Sequence, residues 1–375
     1  MSRKPLRSHG RRVTVLGAGS WGTTFAKVLA DGGADVMLWA RRPDVAREIQ
    51  DQKRNSEYLP GMKLPLTLRS TSRLDLALQG AEQVFISVPS QSLREHLELI
   101  APHLPSGATV VSLMKGVERG SGLRMSEVIR DVLRREPEQL AVVSGPNLAL
   151  EIAKEQPTAS VVASVSLETA QDVASIARSP YFHTFVNTDV IGTEFGGVLK
   201  NLIAVAIGIV DGAGYGENTK ASIITRGLAE MTDFAVAYGA QPGTLVGLAG
   251  LGDLIATSQS PLSRNNTAGN LLGQGYRFAD VVHRMQQTTE GLASVAPILE
   301  LARARDVEMP IVEQVKQVLD GTLDPKQLAP YLTTDGAPQG ERNLDDSDRS
   351  GSALRRAFKR AFDQLRDGGR SPRGD

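Results

Sequence analysis

A short apolar run leads directly into closely spaced glycines in the segment Val13-Thr14-Val15-Leu16-Gly17-Ala18-Gly19-Ser20-Trp21-Gly22. The run has the composition of a buried strand; a helix is expected at about residues 23–31 and a second strand at 36–39. The glycines permit a tight turn, close approach of the backbone to a pyrophosphate and close packing of the helix. Because these parts follow one another in order, the segment predicts a dinucleotide-binding βαβ unit rather than a plain glycine turn.

The end of the second strand selects the cofactor. A site for NAD wants an acidic residue there for the ribose hydroxyls, whereas this chain has Ala40-Arg41-Arg42, with Asp44 displaced beyond a proline. Two guanidinium groups suit a 2′-phosphate, so NADP(H) is the preferred cofactor. The arginines could instead stack on adenine and admit NAD(H), and one of them could simply be solvated.

Further short apolar runs alternate with helical patterns along the first half of the chain. Strands are expected at 83–88, 109–113, 140–143, 159–163 and 183–186, and helices at 93–103, 125–134 and 167–178. This alternation predicts an α/β fold, a Rossmann-type doubly wound parallel sheet. Long helical periodicities without strands follow Asp189. We therefore expect a flexible basic N-terminus at 1–12, a dinucleotide-binding domain at 13–189, an all-α substrate and catalytic domain at 190–334 and a flexible tail at 335–375.

Composition narrows the class of protein. The chain has 375 residues, a formal net charge of zero, five scattered histidines and no cysteine. Disulfides, thiolate nucleophiles and cysteine metal sites are therefore excluded, and no metal is expected. The charge balance gives no reason to expect nucleic-acid binding. The start of the chain lacks the apolar core of a signal peptide, and the apolar run at 202–210 is too short to span a bilayer. A cytoplasmic protein is expected.

Lys200 lies where a charged side chain is unusual. The surrounding run is apolar on nearly every side, and its helical neighbours include Gly196, Gly197, Ile203 and Ile207. Burial lowers the pKa of a lysine, which then can exchange a proton near neutral pH. The alternative is that Lys200 extends to the rim of a core helix and pairs with a carboxylate.

Other polar residues interrupt apolar surroundings. Lys115 directly follows the strand at 109–113 and is expected to project into the cleft beyond the sheet, although a surface loop lysine is the alternative. Asp253 is the single carboxylate of a glycine-rich apolar run and a natural partner for Lys200. Ser263-Arg264-Asn265 suits a phosphate, or only caps a helix. Glu290 could meet a cofactor hydroxyl or cap the helix that follows.

The chain contains seven short motifs in a characteristic order. They are the glycine segment with Trp21 and Thr23, Lys115-Gly116, Ser144-Gly145-Pro146, Gly196-Gly197-Val198-Leu199-Lys200-Asn201, Thr225-Arg226-Gly227-Leu228-Ala229-Glu230, Gly250-Leu251-Gly252-Asp253 and Ser263-Arg264-Asn265. Over residues 13–332 the chain thereby resembles the bacterial-type NAD(P)-dependent glycerol-3-phosphate dehydrogenases. The resemblance implies reversible hydride transfer between NAD(P)H and dihydroxyacetone phosphate, giving sn-glycerol 3-phosphate for phospholipid synthesis.

The resemblance also implies roles for individual residues. Lys200 matches the family's proton donor and acceptor. The chemistry of ketone reduction agrees with this match, since Asp253 would orient Lys200 and Lys115 would polarise or bind the substrate. The substrate contacts are Lys115, Gly145, Asn147, Lys200, Asp253, Ser263, Arg264 and Asn265. We assign to the cofactor Gly17, Gly19, Ser20, Trp21, Gly22, Arg41, Arg42, Tyr58, Lys115, Ala149, Arg264, Thr288 and Glu290. The chain departs from the family at Asn147, where Ser or Thr is more usual, and after Leu332.

Two other functions fit part of the pattern. A β-hydroxyacid dehydrogenase for 6-phosphogluconate or 3-hydroxyisobutyrate shares the two-domain plan and a helix-borne lysine. A non-catalytic NADPH-binding sensor needs no half-buried lysine. The partners expected are a small-molecule substrate and a second copy in a homodimer. The tail holds a basic amphipathic segment (Leu354, Ala357, Phe358, Ala361, Phe362 and Leu365) that suggests weak contact with an anionic membrane, with a solvated tail or a docked helix as alternatives.

Overall fold

A single sheet organises the first half of the chain in a computed structural model that describes residues 10–285 and 289–334. Within these residues the sheet has eight strands in the order β3-β2-β1-β4-β5-β6-β7-β8. The strands are β1 (Arg12–Leu16), β2 (Asp35–Trp39), β3 (Arg69–Thr71), β4 (Gln83–Ile86), β5 (Thr109–Ser112), β6 (Leu140–Ser144), β7 (Thr158–Ala163) and β8 (Phe182–Asn187). The order reverses between β1 and β4, which is the arrangement that opens a ligand crevice at their carboxyl ends.

The predicted Rossmann-type α/β fold is confirmed, with one difference in strand direction. Every neighbouring pair is parallel except β6 and β7, which run antiparallel, as the pairing of Val143 with Val162 shows. Strand β8 then runs parallel to β7. The last two strands therefore point opposite to the first six. Their reversal brings the start of β7, including Ser160, to the same edge as the end of β6.

Helices cover both faces of the sheet. The helices of this half are α1 (Ser20–Asp31), α2 (Pro43–Arg47), α3 (Leu74–Leu78), α4 (Leu93–Ile100), α5 (Met125–Leu133), α6 (Ala149–Ala153) and α7 (Leu167–Ile176). Short 3-10 or π turns lie at Glu48–Gln52, Ser90–Ser92, Ala101–His103 and Pro137–Gln139. One face packs Phe85 against Phe25 of α1 and Val173 of α7, and the other packs Ile86 against Leu97 of α4. The strands are apolar on both sides because both faces are buried.

No strand follows Asn187 within the described residues, and the rest is helical as expected. The helices are α8 (Val190–Gly212), α9 (Glu217–Ala237), α10 (Pro242–Leu245), α11 (Asp253–Gln259), α12 (Arg264–Gly273), α13 (Phe278–Met285), α14 (Glu290–Arg303), α15 (Pro310–Asp320) and α16 (Pro325–Thr334). A π turn at Leu248–Gly252 precedes α11.

The centre of the helical half is α8. Side chains along it, such as Leu199, Ile203 and Val210, are fully buried and form the core with the helices around them. In residues 10–285 and 289–334, α8 alone is long and apolar enough to cross a membrane, but 89% of its apolar window is buried inside the protein. That burial is what a core helix requires. Residues 1–9 of the flexible N-terminus predicted at 1–12, Thr288 and the tail at 335–375 lie outside the described residues, whereas Arg12 already belongs to β1.

Candidate active site

Asp253 lies at the centre of a buried charged cluster between the sheet and the helical half. Lys200 Nζ is 2.9 Å from its Oδ1 atom, and Lys115 Nζ donates to its Oδ2 atom. Thr257 Oγ1 accepts a hydrogen bond from Lys200 Nζ at 2.5 Å and donates one to Asp253 Oδ1 at 3.2 Å. Asp253 is 1% exposed and Lys200 is 6% exposed. Each oxygen of the carboxylate therefore contacts an ammonium group, and the carboxylate itself is fully buried.

The electrostatic setting of Lys200 prepares it for proton transfer. Burial is the largest effect and lowers the pKa of its ammonium to about 8; Asp253 acts against this shift and Lys115 adds to it. At neutral pH the group is mostly protonated, yet it can lose its proton to a nearby acceptor. A pKa close to the working pH is what a general acid and base needs.

Lys115 reaches the cluster from the other half of the chain. It follows the end of β5, and its ammonium also donates to the carbonyl oxygen of Gly145 at 3.0 Å. Its aliphatic stem lies against α8, because a Cβ atom built on Gly197 would be 3.2 Å from Lys115 Cγ. The prediction that this lysine points into the cleft agrees with its position, since it lines the cavity described below.

The glycine turn has the shape that a dinucleotide requires. Gly17 has φ +110°, and a Cβ atom there would be 2.1 Å from the carbonyl oxygen of Ser87. A Cβ atom on Gly22 would be 1.9 Å from the carbonyl oxygen of Gly17, whereas one on Gly19 would meet nothing within 4 Å. The turn is thus closed toward strand and helix and open at Gly19, where the N-terminus of α1 begins. That opening fits a pyrophosphate group.

Two hydrogen bonds connect α1 to other segments assigned to the cofactor. Ser20 Oγ donates to the carbonyl oxygen of Tyr58 at 2.8 Å. Thr24 Oγ1 donates to the carbonyl oxygen of Ala149 at 3.2 Å. The segments carrying Tyr58 and Ala149 are therefore held beside the glycine turn, as an extended ligand would need.

The two arginines after β2 differ in their surroundings. Arg42 pairs with Asp44 at 2.6 Å and with Glu57 at 2.7 Å. Arg41 is exposed, and its positive charge acts on Tyr58. The displaced Asp44 therefore pairs with Arg42, and two carboxylates offset the positive charge of this arginine.

A cavity of about 620 Å³ runs between the sheet edge and the helical half. This size is typical of a site for a small molecule or cofactor. The assigned residues that line it are Gly19, Ser20, Trp21, Tyr58, Lys115, Asn147, Ala149, Lys200, Ser263, Arg264, Asn265 and Glu290. Asp253 and Gly145 lie behind this surface and hold Lys115, while Gly17 and Gly22 are packed inside the turn. Arg41 and Arg42 are outside the lining, and Thr288 is outside the described residues.

The Ser263-Arg264-Asn265 run combines capping with a cavity position. Ser263 Oγ caps α12 by accepting from Asn266 N at 3.2 Å, so the alternative reading holds for this hydroxyl. Asn265 Nδ2 donates to Asn201 Oδ1 at 2.8 Å, and its Oδ1 atom accepts from Gly291 N at 3.1 Å. Asn265 thereby ties three helices together at the cavity wall. Arg264 lines the same wall and brings the positive charge that a phosphate group would need.

Glu290 connects the start of α14 to the sheet half. Its Oε1 atom accepts a hydrogen bond from Ser90 N at 3.4 Å. Burial is the main cause of a raised pKa for this carboxyl group. The residue also lines the cavity.

Thr257 is a site residue that the sequence pattern did not single out. It follows Asp253 at the i,i+4 spacing on α11, which places the two side chains on one helix face. The i,i+4 spacing from Asp253 is the sequence signal that could have predicted Thr257 as a site residue. Among residues 10–285 and 289–334, no group of His, Asp and Glu side chains is arranged to hold a metal ion.

Comparison with known proteins gives a consistent family. Residues 12–170 match the NAD-dependent glycerol-3-phosphate dehydrogenase N-terminus, and residues 189–330 match the C-terminus of the same family. A glycerol-3-phosphate dehydrogenase [NAD(P)+] from Leifsonia xyli subsp. xyli is 70% identical over 96% of this chain and 100% of its own length. One from Thermobifida fusca is 49% identical over 88% of this chain and 98% of its own.

A solved structure agrees with these sequence matches. The crystal structure of a glycerol-3-phosphate dehydrogenase from Coxiella burnetii superposes with a TM-score of 0.82 at 36% sequence identity. The superposition covers 87% of this chain and 99% of the Coxiella chain. The similarity therefore includes both halves of the fold.

Proposed function

The chain belongs to the NAD-dependent glycerol-3-phosphate dehydrogenase family, and we propose that it reversibly reduces dihydroxyacetone phosphate to sn-glycerol 3-phosphate with NAD(P)H. The observation that carries the proposal is the contact of Lys200 and Lys115 with the two oxygens of Asp253 beside a cavity that begins at the glycine turn. Reduction of a ketone needs a proton at the carbonyl oxygen, where negative charge develops. This cluster offers that proton from a cation held in a fixed position.

Each member of the cluster has a distinct role in the proposal. Lys200 Nζ donates the proton to the ketone oxygen and takes it back in the oxidation. Asp253 and Thr257 hold Lys200 Nζ in place, which limits the reorganisation needed at the moment of transfer. Lys115 brings a second positive charge to the same oxygen and thereby favours its developing negative charge.

The chain's own residues also account for cofactor binding. When bound, the nicotinamide cofactor supplies the hydride. Gly19 and the N-terminus of α1 would hold the pyrophosphate, with Ser20, Trp21, Tyr58, Ala149 and Glu290 around the rest of the molecule. Arg41 is proposed to bind a 2′-phosphate, which makes NADPH the preferred cofactor and NADH the second one.

Substrate selection is proposed to depend on the phosphate group. Arg264 would bind it as a charge-assisted partner, and Asn265 with Ser263 would shape the same corner of the cavity. A phosphate held at a fixed distance from Lys200 positions the ketone for proton transfer. The β-hydroxyacid alternative is less well supported, because the family matches and this corner both favour a triose phosphate. A non-catalytic sensor would leave the buried Lys200 cluster without a use.

The same proposal extends to the setting of the enzyme. We propose the division at 13–189 and 190–334, a homodimer, a cytoplasmic location and a supply of glycerol phosphate to phospholipid synthesis. Weak contact of the tail segment with an anionic membrane is proposed from its basic amphipathic sequence. Co-sedimentation with anionic liposomes should then be lost when the chain ends at Thr334, and equal pelleting of both chains would reject the contact.

The function is tested with purified protein. Oxidation of NADPH should require dihydroxyacetone phosphate, and NADP should not be reduced in the presence of 6-phosphogluconate. Activity with 6-phosphogluconate alone would favour the β-hydroxyacid alternative. Binding of NADPH without turnover of either compound would favour the sensor.

A further inference from the structure

Glu194 makes a second buried connection between the two halves of the chain. It lies on α8 and is 6% exposed. Its Oε2 atom accepts from Arg124 Nη1 at 2.5 Å and from Ser126 Oγ at 2.6 Å, and its Oε1 atom accepts from Ser126 N at 2.9 Å. Charge-assisted bonds of this kind fix geometry more strictly than neutral ones. The proton-transfer chemistry does not use this carboxylate.

Arg124 is in turn attached to the segment that carries Lys115. The backbone of Arg124 pairs with Val117 in an antiparallel bridge, and Glu118 N donates to the carbonyl oxygen of Leu123 at 2.9 Å. Val117 is fully buried in the core of the helical half. The position of Arg124 therefore follows that of Lys115, which lies just before this bridge in the chain.

On the other side, α8 connects Glu194 rigidly to Lys200. The two residues are about 9 Å apart along the axis at the usual rise per residue. Gly197 lies between them and contacts the stem of Lys115. Lys115 and Lys200 are therefore connected in two ways. One connection passes through Arg124, Glu194 and α8, and the other passes through Asp253.

We infer that the Glu194–Arg124 ion pair is a positioning pair that sets the separation of Lys115 and Lys200, so that both ammonium groups reach Asp253. Each lysine belongs to a different half of the chain, and each must meet a different oxygen of one carboxylate. A displacement of about 1 Å near a reacting group can cost on the order of 10²-fold in rate. Glu194 touches no reacting atom, so its effect on turnover passes through Lys115 and Lys200. The inference rests on the proposed function.

The test compares two buried glutamates that each accept a backbone N–H group at the start of a helix, Ser126 N for Glu194 and Ile311 N for Glu230. Glu194→Gln removes the charge that holds Arg124. Glu230→Gln is the matched control, because Glu230 is also 6% exposed and also caps a helix, accepting from Ile311 N at 2.9 Å and Val312 N at 3.1 Å of α15. Glu230 has no described contact with α5 or with the Asp253 cluster. Both variants lose a buried carboxyl group, but Glu194 is paired with Arg124, whereas burial raises the pKa of Glu230 to about 8. Only the first variant therefore loses the ion pair that connects the halves.

Turnover, cofactor binding and pH dependence separate positioning from general stability. For Glu194→Gln we expect kcat for dihydroxyacetone phosphate to fall at least about 10-fold while the Kd for NADPH stays within about 3-fold. The pH at which kcat declines should also move, because Lys115 and Asp253 set the charge around Lys200. Glu230→Gln should keep kcat within about 2-fold and leave that pH unchanged.

Two results would overturn the inference. One is a normal kcat for Glu194→Gln; the other is a loss of kcat that Glu230→Gln reproduces, with an unmoved pH profile. If Glu194→Gln does not fold, Arg124→Gln gives the same readings with the cation of the pair removed, and a normal kcat and pH profile there reject the pair. Absence of turnover in the unmodified protein would instead reject the proposed function.

Discussion

Lys200 Nζ and Asp253 Oδ1 lie 2.9 Å apart at the wall of the cleft, joined also through the hydroxyl group of Thr257. The carboxylate favours the charged lysine, while burial and the neighbouring Lys115 favour the neutral one. These opposed effects bring the pKa of Lys200 to about 8. The pair therefore holds a proton that can leave at a pH near 8.

The first prediction concerns the direction of the pH dependence. Ketone reduction needs protonated Lys200, so kcat should fall as pH rises through about 8. Oxidation of glycerol 3-phosphate needs the neutral amine, so kcat in that direction should rise through the same pH. Measuring kcat at saturation in both directions across this range checks the sign. If kcat changed in the same direction with pH for reduction and for oxidation, the assignment would be contradicted.

Asp253→Asn should lower the pH at which kcat for ketone reduction declines. The carboxylate raises the pKa of Lys200, so its removal lowers the pKa further and leaves two buried lysines with less compensation. We expect kcat to fall at least about 10-fold at neutral pH, with the decline of reduction displaced toward acid. If the pH at which kcat declines stayed the same or rose, Asp253 would not control the charge of Lys200.

The two arginines after β2 should differ in their effect on cofactor choice. Arg41→Ala should weaken NADPH binding about 10-fold or more and leave NADH nearly unchanged, as for a lost charge-assisted phosphate contact. Arg42→Ala should have a smaller effect, because Asp44 and Glu57 already bind this guanidinium. Titrating both cofactors against both variants makes the comparison. Equal losses for NADPH and NADH would mean that Arg41 does not read the 2′-phosphate.

Gly19 and Gly22 form a matched pair in the glycine turn. A methyl group at Gly19 meets no protein atom within 4 Å, so Gly19→Ala should leave the thermal unfolding midpoint nearly unchanged but weaken cofactor binding. Gly22→Ala would place Cβ 1.9 Å from the carbonyl oxygen of Gly17, so it should lower the unfolding free energy by about 1–3 kcal/mol or more. Normal cofactor binding by Gly19→Ala would argue against a pyrophosphate at the turn.

Much of the fold could be predicted because its signals are local. The strand, the glycines and the helix at 13–31 stand next to one another, and the lone carboxylate Asp253 in an apolar run needed a cation. Strand β3 was missed because Arg69–Thr71 is short and polar, without the apolar run of a central strand. The reversal of β7 was missed because hydrophobic periodicity does not record strand direction.

The features of the site that the sequence did not predict depend on contacts between residues far apart in the chain. Lys115 was expected in the cleft, but its bond to Asp253 follows from the placement of β5 against α11, which lie far apart in sequence. Glu57 pairs with Arg42, and it lies on a loop whose conformation the sequence pattern does not predict. Glu194 stood in the same apolar run as Lys200, yet its partner Arg124 lies in the other half of the chain.

Steady-state turnover of dihydroxyacetone phosphate by Lys200→Ala tests the account most directly. A matched control is Lys220→Ala, since Lys220 pairs with Asp211 and Glu217 away from the cavity that holds Lys200. The account predicts that Lys200→Ala loses about 10²-fold or more in kcat and still binds NADPH, while Lys220→Ala keeps nearly normal turnover. Near-normal turnover by Lys200→Ala would contradict the assignment of Lys200 as the proton donor.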